Sequence, residues 1–228
     1  MKKIFQKTLF VIGILAISLI AVFIYFDEPV PNGKRGKEAE LLADKILETL
    51  NKQAWDSLES ISWIYPIGNH SYTWNKIENK VTVEWDDYKV IINTKNHTGQ
   101  AWEDGELIND NNLIEKAFKY FNNDSFWLIA PYKIKDPGTI RMLVDYNGRK
   151  ALLVQYTTGG TTPGDSYLWL LDDDYKPRAW KFWASIIPIG GMEFTWENWI
   201  NVDGAQISTL HKGLMNIEIK IEKTQSSE

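Results

Sequence analysis

From Ser60 to Lys223, apolar and polar residues alternate in short runs, and Gly, Asn or Asp separates one run from the next. A period of two puts successive side chains on opposite faces of an extended chain, so each run reads as a half-buried strand. Val81, Val83 and Trp85 alternate with Thr82, Glu84 and Asp86. Candidates at 60–65, 70–76, 80–86, 88–94 and 98–103 are joined by connections too short for a crossover helix, which predicts an antiparallel meander. Further on, Thr139–Tyr146 and Lys150–Tyr156 flank Asn147-Gly148, a type I′ hairpin signal. Tyr167–Leu171 and Arg178–Trp183 flank Asp172-Asp173-Asp174, and Met192–Trp199 and Ala205–His211 flank Asp203-Gly204. Asn216–Lys223 completes a set of about eleven strands.

Two segments carry a helical period instead. Between Lys37 and Leu58, Leu42, Ile46, Leu50 and Ala54 recur every fourth residue, with the charged residues largely opposite. This predicts one amphipathic helix of about six turns. Asn109 to Phe121 predicts a second helix, with Asp110 as its cap. The apolar stretch Phe126-Trp127-Leu128-Ile129-Ala130 ends at Pro131.

The N-terminus speaks to location. Lys2, Lys3 and Lys7 precede an uncharged run from Thr8 to Phe26, and Asp27-Glu28 follows it. That run approaches the ~20 residues that span a bilayer, and the lysines place its start in the cytoplasm. The expectation is a transmembrane signal anchor over 1–26, a linker over 27–36, one domain over 37–223 and a flexible tail over 224–228. The chain would sit in the inner membrane as a single-pass protein with its domain outside the cytoplasm. The alternative is secretion to the periplasm after signal cleavage.

Composition removes several classes. The 228 residues contain no Cys, which excludes disulfides, thiolate metal sites and a Cys nucleophile. A net charge of −5 argues against nucleic acid as partner. The histidines His70, His97 and His211 lack metal-ligand spacing, and the acidic pairs all fall at predicted turns. No cofactor, metal or catalytic residue is assigned, and the chain is read as non-enzymatic. Eleven Trp in one domain is a heavy aromatic load, spread mostly over the strand candidates. It predicts core packing, or the lining of an apolar cavity.

Three stretches resemble the envelope proteins grouped with the lipoprotein carriers LolA and LolB. They are Ile46-Leu47-Glu48-Thr49-Leu50 running through Ala54-Trp55 to Leu58-Ser60-Ile61, the segment Asn123 to Gly138, and Thr161 to Tyr167 with the strand of Trp169. The resemblance implies a mainly antiparallel α+β fold: a curved, open, incomplete barrel covered by helices, with an apolar cavity. It implies binding of a lipid, acyl chain or other apolar small molecule. The missing Cys and the expected anchor keep lipoprotein shuttling itself from carrying over.

By strand phase, Val83, Trp85, Met142, Val144, Trp169, Phe194 and Trp196 are candidates for one face lining such a cavity. Phe126, Trp127, Ile186, Ile187 and Ile189 are candidates for an apolar lip, since three Ile in a Pro/Gly-bounded loop call for a reason to be there. The expected function is a membrane-anchored, extracytoplasmic lipid-binding domain. The alternatives are a hydrolase acting on an envelope glycan or lipid, and a protein-interaction module, with an envelope protein as its partner, using the Ile186–Ile189 loop. A deep dry cavity, a polar cleft with two converging carboxylates, or a closed core with exposed apolar surface would distinguish the three.

Overall fold

The computed structural model describes residues 8, 10, 13, 14, 25–158 and 163–226, of which 223–226 are described by backbone alone. Its strands form three antiparallel sheets rather than one curved barrel. The first sheet holds β1 (Leu58–Tyr65), β2 (His70–Asn75), β3 (Lys80–Trp85), β4 (Tyr88–Asn93), β5 (Gly99–Glu103) and β6 (Glu106–Ile108) in sequence order. The second holds β7 (Thr139–Tyr146), β8 (Arg149–Tyr156), β9 (Ser166–Leu171), β10 (Pro177–Trp183) and β11 (Met192–Thr195). The third holds β12 (Glu197–Val202), β13 (Ala205–Lys212) and β14 (Asn216–Glu218). The last strand, β15 (Lys220–Ser226), returns to the first sheet beside β1.

The incomplete barrel of about eleven strands is therefore corrected, and two breaks give the physical reason. The run read as one strand over Met192–Trp199 is interrupted at Trp196, and Asn198 just beyond adopts φ 50°. Before the break the chain pairs with β10; after it, with β13. The run Asn216–Lys223 is likewise interrupted at Ile219, whose N–H donates to Thr209 O at 2.8 Å, and the chain passes from the third sheet to the first. Strands that switch sheets at such bends make corners rather than a continuous wall.

Beyond Phe26, three α-helices accompany the strands: α1 (Lys37–Thr49), α2 (Lys52–Ser57) and α3 (Asn111–Ile129), which runs into a 3₁₀ turn, Ala130–Lys133. The expected long first helix is split, because Asn51 sits at φ 56° and accepts from Ala54 N as the cap of α2. Asp110 caps α3, accepting from Asn112 N and Leu113 N. α3 extends eight residues beyond the expected Phe121, taking in Phe126 to Ile129.

Among the described residues no helix is long and apolar enough to cross a membrane. The expected transmembrane helix, the inner-membrane attachment and the single-pass placement are corrected to that statement about the described residues. Most of Thr8–Phe26 lies outside the described residues, as do Gly159–Thr162 and 227–228. Residues 27–34 lie against the domain: Lys34 and Leu143 exchange backbone hydrogen bonds at 2.8 Å.

The main core lies between the sheets and α3, with Trp63, Trp169, Trp180 and Trp196 each less than 2 % exposed. A second apolar cluster occupies the opposite face of the second sheet, formed by Val144, Ala151, Leu153, Leu168, Leu170 and Ala179. The hairpin at Asn147-Gly148 has φ 54° and 75°, the paired positive values of a type I′ turn.

Candidate functional site

The seven residues assigned by phase to one face fall in three places. Val83 and Trp85 are buried in the first sheet, where Trp85 meets Tyr120 of α3 edge-on at 5.4 Å. Trp169, Phe194 and Trp196 are buried in the main core, with Trp169 and Trp196 5.2 Å apart. Met142 and Val144 belong to the outer cluster on the other side of the second sheet. Phase is counted within one strand, so it does not align faces between sheets that are broken from one another.

Where a cavity was expected, aromatic rings fill the space. Trp180 lies 5.2 Å from Trp169 and 5.0 Å from Trp196, and Trp127 closes on Trp180 at 5.1 Å and on Phe194 at 4.9 Å. Phe126 stacks over Trp180 at 5.8 Å. Phe126 and Trp127, read as part of a lip, thus turn inward from α3. Two surface depressions, of about 450 and 330 Å³, are lined by Ser62, Thr73 and Lys220 and by Gly99, Leu107 and Ile114 among others. Neither includes any of the seven residues.

The Ile loop keeps its outward character. Ile186 is 74 % exposed, while Ile187 packs partly against the core; Ile189 is half-buried. The loop is held at both ends: Ser185 N donates to Asp165 Oδ1, Ile187 N to Ala184 O, and Gly191 N to Phe182 O, each at 2.9 Å. The tip between β13 and β14 lies beside β11, the strand that follows the Ile loop. Lys212 N donates to Thr195 Oγ1, and a Cβ on residue 213 would lie 2.6 Å from Glu193 O. The chain there runs antiparallel to β11, toward the strand end where the Ile loop enters. It carries Leu214 and Met215, 84 % and 51 % exposed. These two were missed in the sequence because they follow Gly213 in a short turn with no periodic signal.

A buried polar cluster was also missed. His70 Nδ1 lies 2.7 Å from Asp124 Oδ2, and the Tyr72 hydroxyl donates to the same oxygen. Burial pushes the Asp124 carboxyl above the usual carboxylate range, against the pull of its hydrogen bonds to Tyr72 and His70. A His–Asp pair of this kind can orient an imidazole for proton transfer. Here the ring is closed off: it stacks on Tyr120 at 4.0 Å, and a Cβ on Gly68 would lie 2.4 Å from Nε2. The cluster reads as a tie between β2 and α3. Its one sequence signal is Asp124 on the same helical stripe as Phe121, Ser125 and Leu128, all buried.

Among the described residues no His, Asp and Glu group could hold a metal ion. Asp172 Oδ1 accepts from Asp174 N and Lys176 N, and Asp173 pairs with Arg149, so the Asp172–Asp174 run is engaged as a turn.

No family model matches the sequence, and no curated protein matches it. One solved structure with a similar trace is a DUF1329 family protein from Desulfovibrio piger, at 8 % identity and a TM-score of 0.45, covering 84 % of this chain and 94 % of that one. So weak a likeness carries no argument about fold or function. The resemblance to the lipoprotein carriers gains no support from these comparisons.

Proposed function

We propose that this chain is a protein-interaction module. The reading of a membrane-anchored lipid binder is set aside, because no described helix is fit to span a bilayer and the expected cavity is occupied by packed rings. A hydrolase needs converging acid and base groups open to substrate. The His70–Asp124 pair, covered by Gly68 and Tyr120, does not offer them.

The observation that carries the proposal is the contrast between a core packed to below 2 % exposure at four Trp and a tethered loop that presents Ile186 at 74 %. A loop held at both ends exposes an aliphatic side chain at little ordering cost on binding. Leu214 and Met215, on the turn that follows Gly213 beside β11, add further exposed apolar side chains. Aliphatic and Met side chains in such a patch suit a partner's apolar contact surface.

The test is site-specific photocrosslinking in cells producing the full chain, with the photoreactive residue placed at 186, at 214, or at Lys95 as a control. A recurrent adduct of one mass at 186 and 214, absent at Lys95 and lost when Met215→Asp is added, is the expected result. Equal labelling at all three positions, or no adduct, removes the proposal.

A further inference from the structure

The outer face of the second sheet is apolar and shielded. Leu168 is 0 %, Leu153 1 % and Ala179 1 % exposed, although they point away from the main core. The described segment lying across this face is residues 27–34. At one end, Gly190 N donates to Asp27 Oδ1 at 2.8 Å, Glu28 N to Gly190 O at 3.2 Å, and Trp183 Nε1 to Glu28 O at 2.6 Å. At the other end, Gly33 presses on β7 so closely that a Cβ would lie 2.6 Å from Met142 Cβ. Next to it, Lys34 pairs with Leu143 at the sheet edge, and α1 then packs on the inner side.

One polar contact stands out on this face. Lys181 of β10 is 5 % exposed, and its ammonium is held by the Glu28 carboxylate at 2.5 Å and by the Tyr146 hydroxyl at 3.1 Å. A covered ammonium requires a carboxylate partner, so any chain that covers this face is selected for one acidic residue at this place. The rest of the segment is Pro29-Val30-Pro31-Asn32, mostly exposed and free of ladder hydrogen bonds. Proline keeps such a segment extended and lowers the entropy lost on seating it. Few contacts hold it, and all of them can be copied by another extended chain.

We propose that the outer face of the second sheet is a recognition groove for an extended, proline-containing segment with a glutamate at the Lys181 position, filled in this chain by its own residues 27–34 and open to a partner segment of the same chemistry that displaces them. The proposal rests on Lys181 and the outer face rather than on Ile186, although Asp27 and Glu28 seat on Gly190 at the end of the Ile loop; the glutamine peptide and Lys181→Met test it without altering that loop. A tethered segment competes at an effective concentration on the order of millimolar. Displacement therefore becomes easy to observe when the tethered copy is weakened.

The probe is a fluorescein-labelled peptide of residues 27–34, titrated with the full chain and read by anisotropy. Glu28→Ala in the full chain vacates the Lys181 partner position, and the peptide is expected to bind this variant at least fivefold more tightly than the unaltered chain. Replacing the peptide's own glutamate by glutamine is expected to lose that gain; this control leaves the protein untouched. Lys181→Met, with its fold checked by circular dichroism, is expected to lose binding as well. Failure of the peptide to bind Glu28→Ala, or equal binding of the glutamate and glutamine peptides, overturns the proposal.

Discussion

His70 on β2 and Asp124 on α3 meet at 2.7 Å in a site where each residue is less than 9 % exposed. Tyr72 donates to the same carboxylate oxygen, so one buried group satisfies two partners from the first sheet. Asp124→Ala removes the acceptor without overfilling the site and strands both His70 Nδ1 and the Tyr72 hydroxyl. The expected cost is about 2–4 kcal/mol, from ~1–3 kcal/mol for each unsatisfied buried group with some relaxation. Tyr72→Phe removes one donor and leaves His70 paired, and should cost only about 1 kcal/mol. Urea unfolding midpoints of the two variants decide the order.

His211 gives the chain an acid-sensitive point. Its Nδ1–H donates to Thr195 O at 3.1 Å, and its ring lies 4.4 Å from Trp196 and 5.6 Å from Trp127. Burial pushes its pKa from the ordinary 6.5 down to about 4. The folded state therefore holds the neutral ring while the unfolded chain takes up a proton first. The associated stability is complete above about pH 6.5 and is lost as pH falls toward about 4, by about 3 kcal/mol. Denaturant melts at pH 7, 5.5 and 4 should show this slope in the natural chain. It should be reduced by that amount in His211→Leu.

Asn51 joins α1 to α2. Its Oδ1 accepts from Ala54 N and its Nδ2 donates to Gly204 O at 3.0 Å, with φ at 56°. Asn51→Ala loses the cap and leaves in the left-handed region a residue without the local hydrogen bonding that lets Asn tolerate it, for an expected loss of about 2–3 kcal/mol. Asn51→Gly relieves the backbone term and should recover at least 1 kcal/mol of it. A thermal melt of both variants separates strain from capping.

Surface and core should respond in opposite ways. Ile186→Asp, at 74 % exposure, is expected to shift stability by less than about 0.5 kcal/mol. Trp180→Ala, at 1 % exposure, opens a hole among Trp169, Trp196, Phe126 and Trp127 and should cost about 3–5 kcal/mol. Equal melting behaviour of the two would refute the picture of a closed aromatic core beside a free apolar lip.

The alternation of Val81, Val83 and Trp85, the Asn147-Gly148 turn and the Asp110 cap were legible in the sequence, and each is present in the fold. All three depend on residues within a few positions of one another: side-chain phase, backbone sterics and a single side-chain hydrogen bond. The candidate sites were legible only in part. The exposed Ile186 was visible as an aliphatic residue in a Pro/Gly-bounded loop, whereas the His70–Asp124 tie and the seat of Glu28 on Lys181 join residues 54 and 153 positions apart. The same holds for the architecture. The bend of α1 into α2 is secured by Gly204, and β15 finds β1 from the far end of the chain. Local sequence set where strands, turns and caps form, because their free energies are short-ranged. Long-range packing set how the strands divide into three sheets and which rings fill the centre, because those choices rest on contacts between distant segments.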